Sequence, residues 1–377
     1  MTYEEKIKTA RYLARVFFEY EEGLPISEKP HDLKWDYVYG MAKRHSVEAL
    51  IFEAIGLRAK EEAPAPLFSD WSRDASVAGA KHITQKLELL ALEKLFSENE
   101  IPYLLLKGFL IKALYKTPSL RQMTDIDIFI GQENFEKVKS LLLSNGYTLD
   151  LSVEVHDSFK KPPFIEIEIH KILHHDMSEY KIENSLFKEE NVYYRFMTEE
   201  DFLVFLLHHA KKHDETGGAG IRTVFDFYLL FKKKSYDEAS LRERLKKEKL
   251  LDFYETLKAL IEFWFYDGKT TKELADFEIY TVTGGTYGTL ENEYLRKNKK
   301  KGRVAIFFER LFPPFGLMSS RYPILKKCPI LLPFFYPVRF VSSLFKGNVS
   351  RNVKAMRGAS KKKKELEKLS GENLENK

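Results

Sequence analysis

Two carboxylates spaced two apart, Asp125 and Asp127, open an apolar run in which Ile126, Ile128 and Ile130 fill the alternate positions. A second run repeats the device: Ile165, Ile167 and Ile169 alternate with Glu166, Glu168 and His170. Side chains alternate along a strand, so each run predicts a strand with one isoleucine face and one polar face. The isoleucine faces must be covered, which demands a sheet with helices packed on it. The polar faces can then bring three or four carboxylates to one cleft. Like charges that close raise one another's pKa and repel unless cations lie between them, and hard oxygen ligands in that number suit Mg²⁺.

A buried strand over 101–106 precedes these runs and turns through Lys107 and Gly108 into a helix over 109–115. Glycine lets a phosphate come close to the backbone, and the following helix offers free N–H groups and a positive dipole end. The turn therefore points to phosphate, with Lys107 as its cation. The isolated Asp-x-Asp pattern means little, because a chain of this length contains about one by chance. Its place about seventeen residues beyond Gly108, followed by Glu166, Glu168 and His170, is what makes it informative.

At 377 residues, with 44% hydrophobic and 14% aromatic content, the chain has material for two or three modest domains with real cores. Its one cysteine, Cys328, excludes an internal disulfide framework and any multi-cysteine zinc site, which suits a reducing cytosol. Acids near the start, Glu4 and Glu5, stand where a secretory leader is basic and then apolar, and no run of about 18 apolar residues occurs. A cytoplasmic protein is expected. The net charge of +5 conceals an asymmetry: from Arg296 onward 21 Lys and Arg face 5 Asp and Glu, a surplus of +16 that leaves −11 for everything before it.

The expected organisation is α+β: a small mixed-sheet core over 98–195, flanked by an N-terminal helical region (1–97) and a C-terminal helical domain (196–295), with a basic, aromatic region and solvated tail over 296–377. Thr2 and Glu5 form a capping box before a first helix, and a second helix is expected over 35–55. After Pro64 and Pro66 a helix is expected from about His82 to Glu98. Another covers 133–145 with Gly146 as its C-cap, and a strand follows from Tyr147. Thr198 and Asp201 open a helix to about His213, a glycine loop spans 217–220, and a helix over 221–231 follows.

On these residues the chain resembles the nucleotidyltransferase superfamily, and within it an uncharacterised bacterial branch. Lys107 and Gly108, then Tyr115, Pro118 and Arg121, then Asp125 and Asp127, then Glu168 and His170 carry the resemblance. More weakly it takes in Trp35, Ala42 and His45, and beyond the core His209, Lys212, His213, Gly218, Gly220, Arg222 and Asp226. It implies transfer of NMP from an NTP to an acceptor with loss of pyrophosphate. Asp125, Asp127 and Glu168 would hold Mg²⁺ and be catalytic; Lys107, Gly108, Arg121, Lys212 and Arg222 would bind the nucleotide. Where the superfamily's usual turn carries a serine, this chain has Phe109 after Gly108, so the grip on the triphosphate falls to Lys107 and backbone amides.

Several readings stay open at this level. Glu166 points the same way as Glu168 and could replace it as third ligand. His170 either orients a carboxylate, touches phosphate or simply ends a strand. Arg121 reaches a triphosphate oxygen or pairs with Asp125. Arg222 and Asp226, four apart on an apolar helix, read best as a buried ion pair, with closure of Lys212 or Arg222 over the nucleotide as the alternative. His208, His209, Lys211, Lys212 and His213 crowd a helix end, which the macrodipole favours without any metal. The stretch 296–357 reads as a packed helical cap, an RNA grip or a peripheral contact with an anionic membrane. A non-catalytic nucleotide-binding or scaffold protein at the membrane face is the rival to the enzyme, and the acceptor, whether small molecule, protein or RNA, is not readable.

Overall fold

The computed structural model describes residues 1–173, 177, 179–233, 236–266, 268–286, 288–300, 312–345 and 358–359. Two compact units divide the chain: Met1–Lys212 with Gly220–Thr286, and His213–Ala219 with Tyr287–Lys377.

Four helices open the first unit: α1 (Tyr3–Glu22), α2 (Trp35–Arg44), α3 (Glu48–Glu62) and α4 (Ala65–Glu98). The expected capping box forms, Glu5 N–H donating to Thr2 Oγ1 at 3.1 Å and Thr2 N–H donating to the Glu5 carboxylate at 2.6 Å. The single helix expected over 35–55 is two helices. His45 ends α2 with a fully buried ring whose Nδ1 accepts the Ile221 N–H at 3.0 Å and whose Nε2 meets the Val282 carbonyl at 3.0 Å, and Ser46 then turns the chain at φ 53°. Helix α4 begins at Ala65 and not near His82. The prolines that read as a break instead start it, since the first turn of a helix does not need their missing N–H.

The sheet follows: β1 (Tyr103–Leu105), a short helix α5 (Gly108–Lys112), β2 (Ile126–Phe129), α6 (Phe135–Ser144), β3 (Thr148–Ser152), β4 (His156–Lys161), β5 (Ile165–His170), β6 (Leu186–Lys188) and β7 (Asn191–Phe196). The strands lie in the order β3-β4-β5-β2-β1-β7-β6. The two acidic strands, β2 and β5, are parallel neighbours, with antiparallel β1 and β4 outside them. The α+β class with a mixed sheet is what the sequence predicts. Strands β4, β6 and β7 were not expected, because none shows a clean apolar alternation.

One face of the sheet carries Ile126, Ile128, Ile165, Ile167 and Ile169, packed on Leu89, Leu92 and Phe96 of α4 and on Phe135, Val138 and Leu142 of α6. Each such burial contributes about 1.5–3 kcal/mol relative to exposure. That energy also fixes register: a slip of one residue would turn the carboxylates into the isoleucine core.

Helices α7 (Glu199–Thr216), α8 (Gly220–Lys232), α9 (Glu238–Lys247), α10 (Leu251–Phe265) and α11 (Lys272–Gly284) complete the run. Side chains of α8, α10 and α11 share one apolar core with α1–α3, in which Phe17 stacks on Phe225 at 3.9 Å. Gly220, at φ 76°, lets this core close, because a Cβ there would stand 2.6 Å from the Gly285 carbonyl oxygen.

In the second unit lie α12 (Leu290–Lys300) and the helices Phe315–Arg321, Ile324–Lys327 and Leu332–Phe345. Aromatic pairs hold the flanks of the helix Phe315–Arg321 to the helix Leu332–Phe345, Tyr322 with Phe335 at 4.9 Å and Phe312 with Tyr336 at 5.2 Å. Ile330, Phe334 and Val338, four apart, are exposed by 80%, 72% and 53%. No helix among the described residues is long and apolar enough to cross a membrane. Within the basic aromatic stretch, residues 301–311 and 346–357 lie outside the described residues, as does the expected solvated tail apart from 358–359.

Candidate active site

Strand register builds the site. Asp127 pairs with Glu168 across the parallel β2–β5 ladder, and Asp125 precedes β2 by one residue on the same face as Asp127. Ligand oxygens from Asp125, Asp127 and Glu168 all lie within 4.8 Å of one another. The expected triad is therefore assembled by the backbone itself. Glu166, the alternative third ligand, lies two residues before Asp127's partner on β5 and belongs to no such group among the described residues.

Lys107 supplies the cation. Its Nζ stands 2.8 Å from Asp127 Oδ1, with only 16% of the lysine side chain and 3% of the aspartate exposed. Its backbone takes φ 32°, a conformation rare outside glycine, directly before α5. Burial opposes charge on both groups, but the pair outweighs it: Lys107 is held above its ordinary range by Asp127 and Asp125, and Asp127 well below its own by Lys107 and His170. Asp125 has no such partner. Burial first, and then the Asp127 charge, push it up to about 7. Three carboxylates face Lys107 and His170, whose proton Asp127 and Glu168 hold against the pull of burial, and oxygen ligands in that number suit a divalent cation.

His170 faces the same group, its Nε2 3.2 Å from Asp127 Oδ1 and 3.5 Å from Glu168 Oε2. His156 on β4, absent from the sequence reading, reaches Glu168 Oε1 at 3.4 Å through its Nε2. Its signal was hidden because β4 itself was not legible.

Gly108 opens α5, a helix of only five residues where 109–115 was expected. A Cβ at this position would meet the Met123 Sδ at 3.0 Å, so glycine here serves packing as well as any approach of a ligand. Arg121, expected on a triphosphate oxygen or on Asp125, gives its fork to Asp226 instead: Nε and Nη2 reach the two carboxylate oxygens at 2.7 Å each, and the Tyr115 hydroxyl donates to Oδ1 at 2.7 Å. This corrects the expected Arg222–Asp226 pair. The partner of Asp226 is Arg121, while Arg222 donates to the Gln122 carbonyl at 2.9 Å on the approach to β2. Lys212 is exposed on α7. His208 of the histidine run is bound to Glu248 at 2.6 Å.

A cationic margin also escaped the sequence. Lys112 is 2% exposed and its Nζ meets His82 Nδ1 at 3.0 Å. Burial, with Arg121, Lys81 and Arg222 as neighbouring cations, brings it down to about 7. Lys81, one helical turn before Gln85, is likewise lowered by burial, against the pull of Asp125 and Glu166. Gln85 holds the approach to β2 through the Met123 and Thr124 carbonyls at 3.4 and 3.3 Å. Among the described residues neither lysine has a carboxylate within ion-pair distance. The site thus sets its three carboxylates near two lysines that no carboxylate pairs among the described residues.

Comparison with known proteins follows the same lines. A family model described as an uncharacterised nucleotidyltransferase matches residues 31–266. No curated protein matches the chain. Among solved structures, the lincomycin-bound crystal structure of the lincosamide antibiotic adenylyltransferase LnuA is similar over 39% of this chain and 96% of that one, at 20% identity and a TM-score of 0.28. At that score the likeness carries nothing about an acceptor.

Proposed function

The chain belongs to the uncharacterised nucleotidyltransferase family, and on that premise we propose that it transfers NMP from an NTP to an acceptor with release of pyrophosphate, with Mg²⁺ held by Asp125, Asp127 and Glu168. The observation that carries this reading is the convergence of those three carboxylates within 4.8 Å on two parallel strands. Bound there, a divalent ion supplies Lewis-acid stabilisation of charge at the phosphorus and lowers the pKa of an attacking hydroxyl.

The chain's own residues prepare that chemistry. Lys107 keeps Asp127 ionised, so this carboxylate can ligate without first losing a proton. Asp125, pushed up to about 7 by burial, would hold the ion as its deprotonated carboxylate. Lys81 and Lys112 supply positive charge to phosphate oxygens, and Lys107 stands at the turn where the backbone N–H groups of α5 are unused by the helix. Arg121, locked by Asp226, braces the Gly108 turn through its carbonyl.

The test incubates pure protein with each NTP and Mg²⁺, with and without a small-molecule extract, and follows pyrophosphate release and product masses. Turnover that is the same in Asp127→Asn as in the parent would sink the assignment and leave the non-catalytic nucleotide binder.

Peripheral contact with an anionic membrane is proposed for the C-terminal region. It rests on the +16 surplus after Arg296 and on the exposed Ile330, Phe334 and Val338 beside Lys326 and Lys327. Co-sedimentation with anionic but not neutral vesicles, weakened by salt, is the expected result.

A further inference from the structure

We propose that the polar face of the sheet holds a second cation position, built from His156, Glu168 and His170 and selective for a borderline divalent ion such as Zn²⁺ over Mg²⁺. Register creates it. In the antiparallel β4–β5 ladder His156 is the cross-strand partner of His170, and Glu168 lies two residues before His170 on the same face. Ligand atoms of the three residues lie within 4.8 Å of one another.

The distances discriminate between accounts. Glu168 Oε1 is 3.4 Å from His156 Nε2, and Oε2 is 3.5 Å from His170 Nε2. Both are longer than the 2.7–3.2 Å of a typical N–H···O bond, and His170 Nε2 also lies 3.2 Å from Asp127 Oδ1, a contact that ligation would replace. Two imidazolium rings with centroids 5.1 Å apart would repel each other. For a tetrahedral ion with bonds of about 2.0–2.2 Å, ligand atoms stand roughly 3.3–3.6 Å apart, and each Glu168 oxygen stands at such a distance from one of the two imidazole nitrogens. The Glu168 side chain is 22% exposed and that of His156 20%, so an ion can enter from solvent and keep a position for water.

Ligand chemistry sets the selectivity. Two imidazoles and one carboxylate suit Zn²⁺ or Co²⁺, whereas the all-oxygen group of Asp125, Asp127 and Glu168 suits Mg²⁺. Glu168 is common to both groups and would bridge two unlike ions. The proposal needs no nucleotide, so it stands or falls apart from the transferase reading.

The test uses untagged full-length protein stripped with a chelator and titrated with Co²⁺, whose visible absorption reports a low-coordinate site. One equivalent should bind with a visible band, survive Mg²⁺ in about 100-fold excess and yield to Zn²⁺. His156→Ala should weaken Co²⁺ binding by about 100-fold or more while melting stays near the parent's. His156→Cys should restore binding and add a sulfur-to-cobalt charge-transfer band, which only direct ligation by residue 156 can give. Displacement of Co²⁺ from the parent by Mg²⁺, unchanged affinity in His156→Ala, or a Cys variant without the charge-transfer band would each overturn the proposal. Should the Ala variant fail to fold, the Cys variant decides alone.

Discussion

Two buried charge clusters lie within the first unit, and they are built on opposite plans. Around Asp226 the donors match the acceptors: Arg121 fills both carboxylate oxygens and Tyr115 adds a third bond, with 7% and 10% of the two charged side chains exposed. Around Asp127 the acceptors outnumber the donors, since Asp125, Asp127 and Glu168 face only Lys107 and the histidines His156 and His170. A closed cluster holds the fold; an open one waits for a ligand. Charge balance, more than burial, separates strut from site, since Asp127 is as deeply buried as Asp226.

Breaking the closed cluster should have the largest effect. Asp226→Ala leaves a buried guanidinium unpaired and should cost about 3–5 kcal/mol, read as a lower urea midpoint. The open cluster should respond in activity instead. Asp127→Asn is expected to lower kcat/KM by about 100-fold or more, with a smaller midpoint shift, because Asp125 can ionise and take over Lys107. A midpoint drop as large as that of Asp226→Ala would erase the distinction between the clusters.

A third, neutral joint sharpens it. The buried His45 ring, held down to about 3 by burial, uses its Nδ1 lone pair on the Ile221 N–H and cannot take a proton there without losing that bond. Below the ordinary histidine pKa of about 6.5 the unfolded chain binds a proton that the folded one refuses, so stability falls with pH, by about 1.4 kcal/mol per unit, until about pH 3. His45→Gln should flatten that slope in melts taken between pH 7 and 5. The smallest effect belongs to Lys112. With no carboxylate partner it contributes no ion pair, so Lys112→Met should leave stability within about 1 kcal/mol of the parent while weakening inorganic triphosphate binding, measured by calorimetry.

The isoleucine alternation made β2 and β5 and their acidic face legible in the sequence, because period-two patterning is a local signal. Pairing is not local, and nothing in residues 125–127 or 165–170 says that these strands lie side by side and parallel. His156 was lost because β4, with Lys160 and Lys161 at its end, lacks that alternation. Lys112 and Lys81 carry no local signal, since burial in the folded chain alone sets them apart. His45, Gly220 and Asp226 were found by resemblance to a family of enzymes, yet each acts here as a structural joint. A recurrent pattern does not separate the residues a fold needs from those its chemistry needs.

The core that α1 shares with α11 has a consequence for how the chain is made. Arg11 grips Glu278 through two 2.8 Å bonds spanning 267 residues of sequence, and His45 waits for Val282. Contacts of such high order delay folding. On the ribosome the acidic strands emerge long before α11, so the N-terminal helices stay incomplete until late in synthesis, exposed to proteases and to one another. A fragment trimmed to the family match, ending at residue 266, would hold every carboxylate of the site and still lack the segment that closes its first helix.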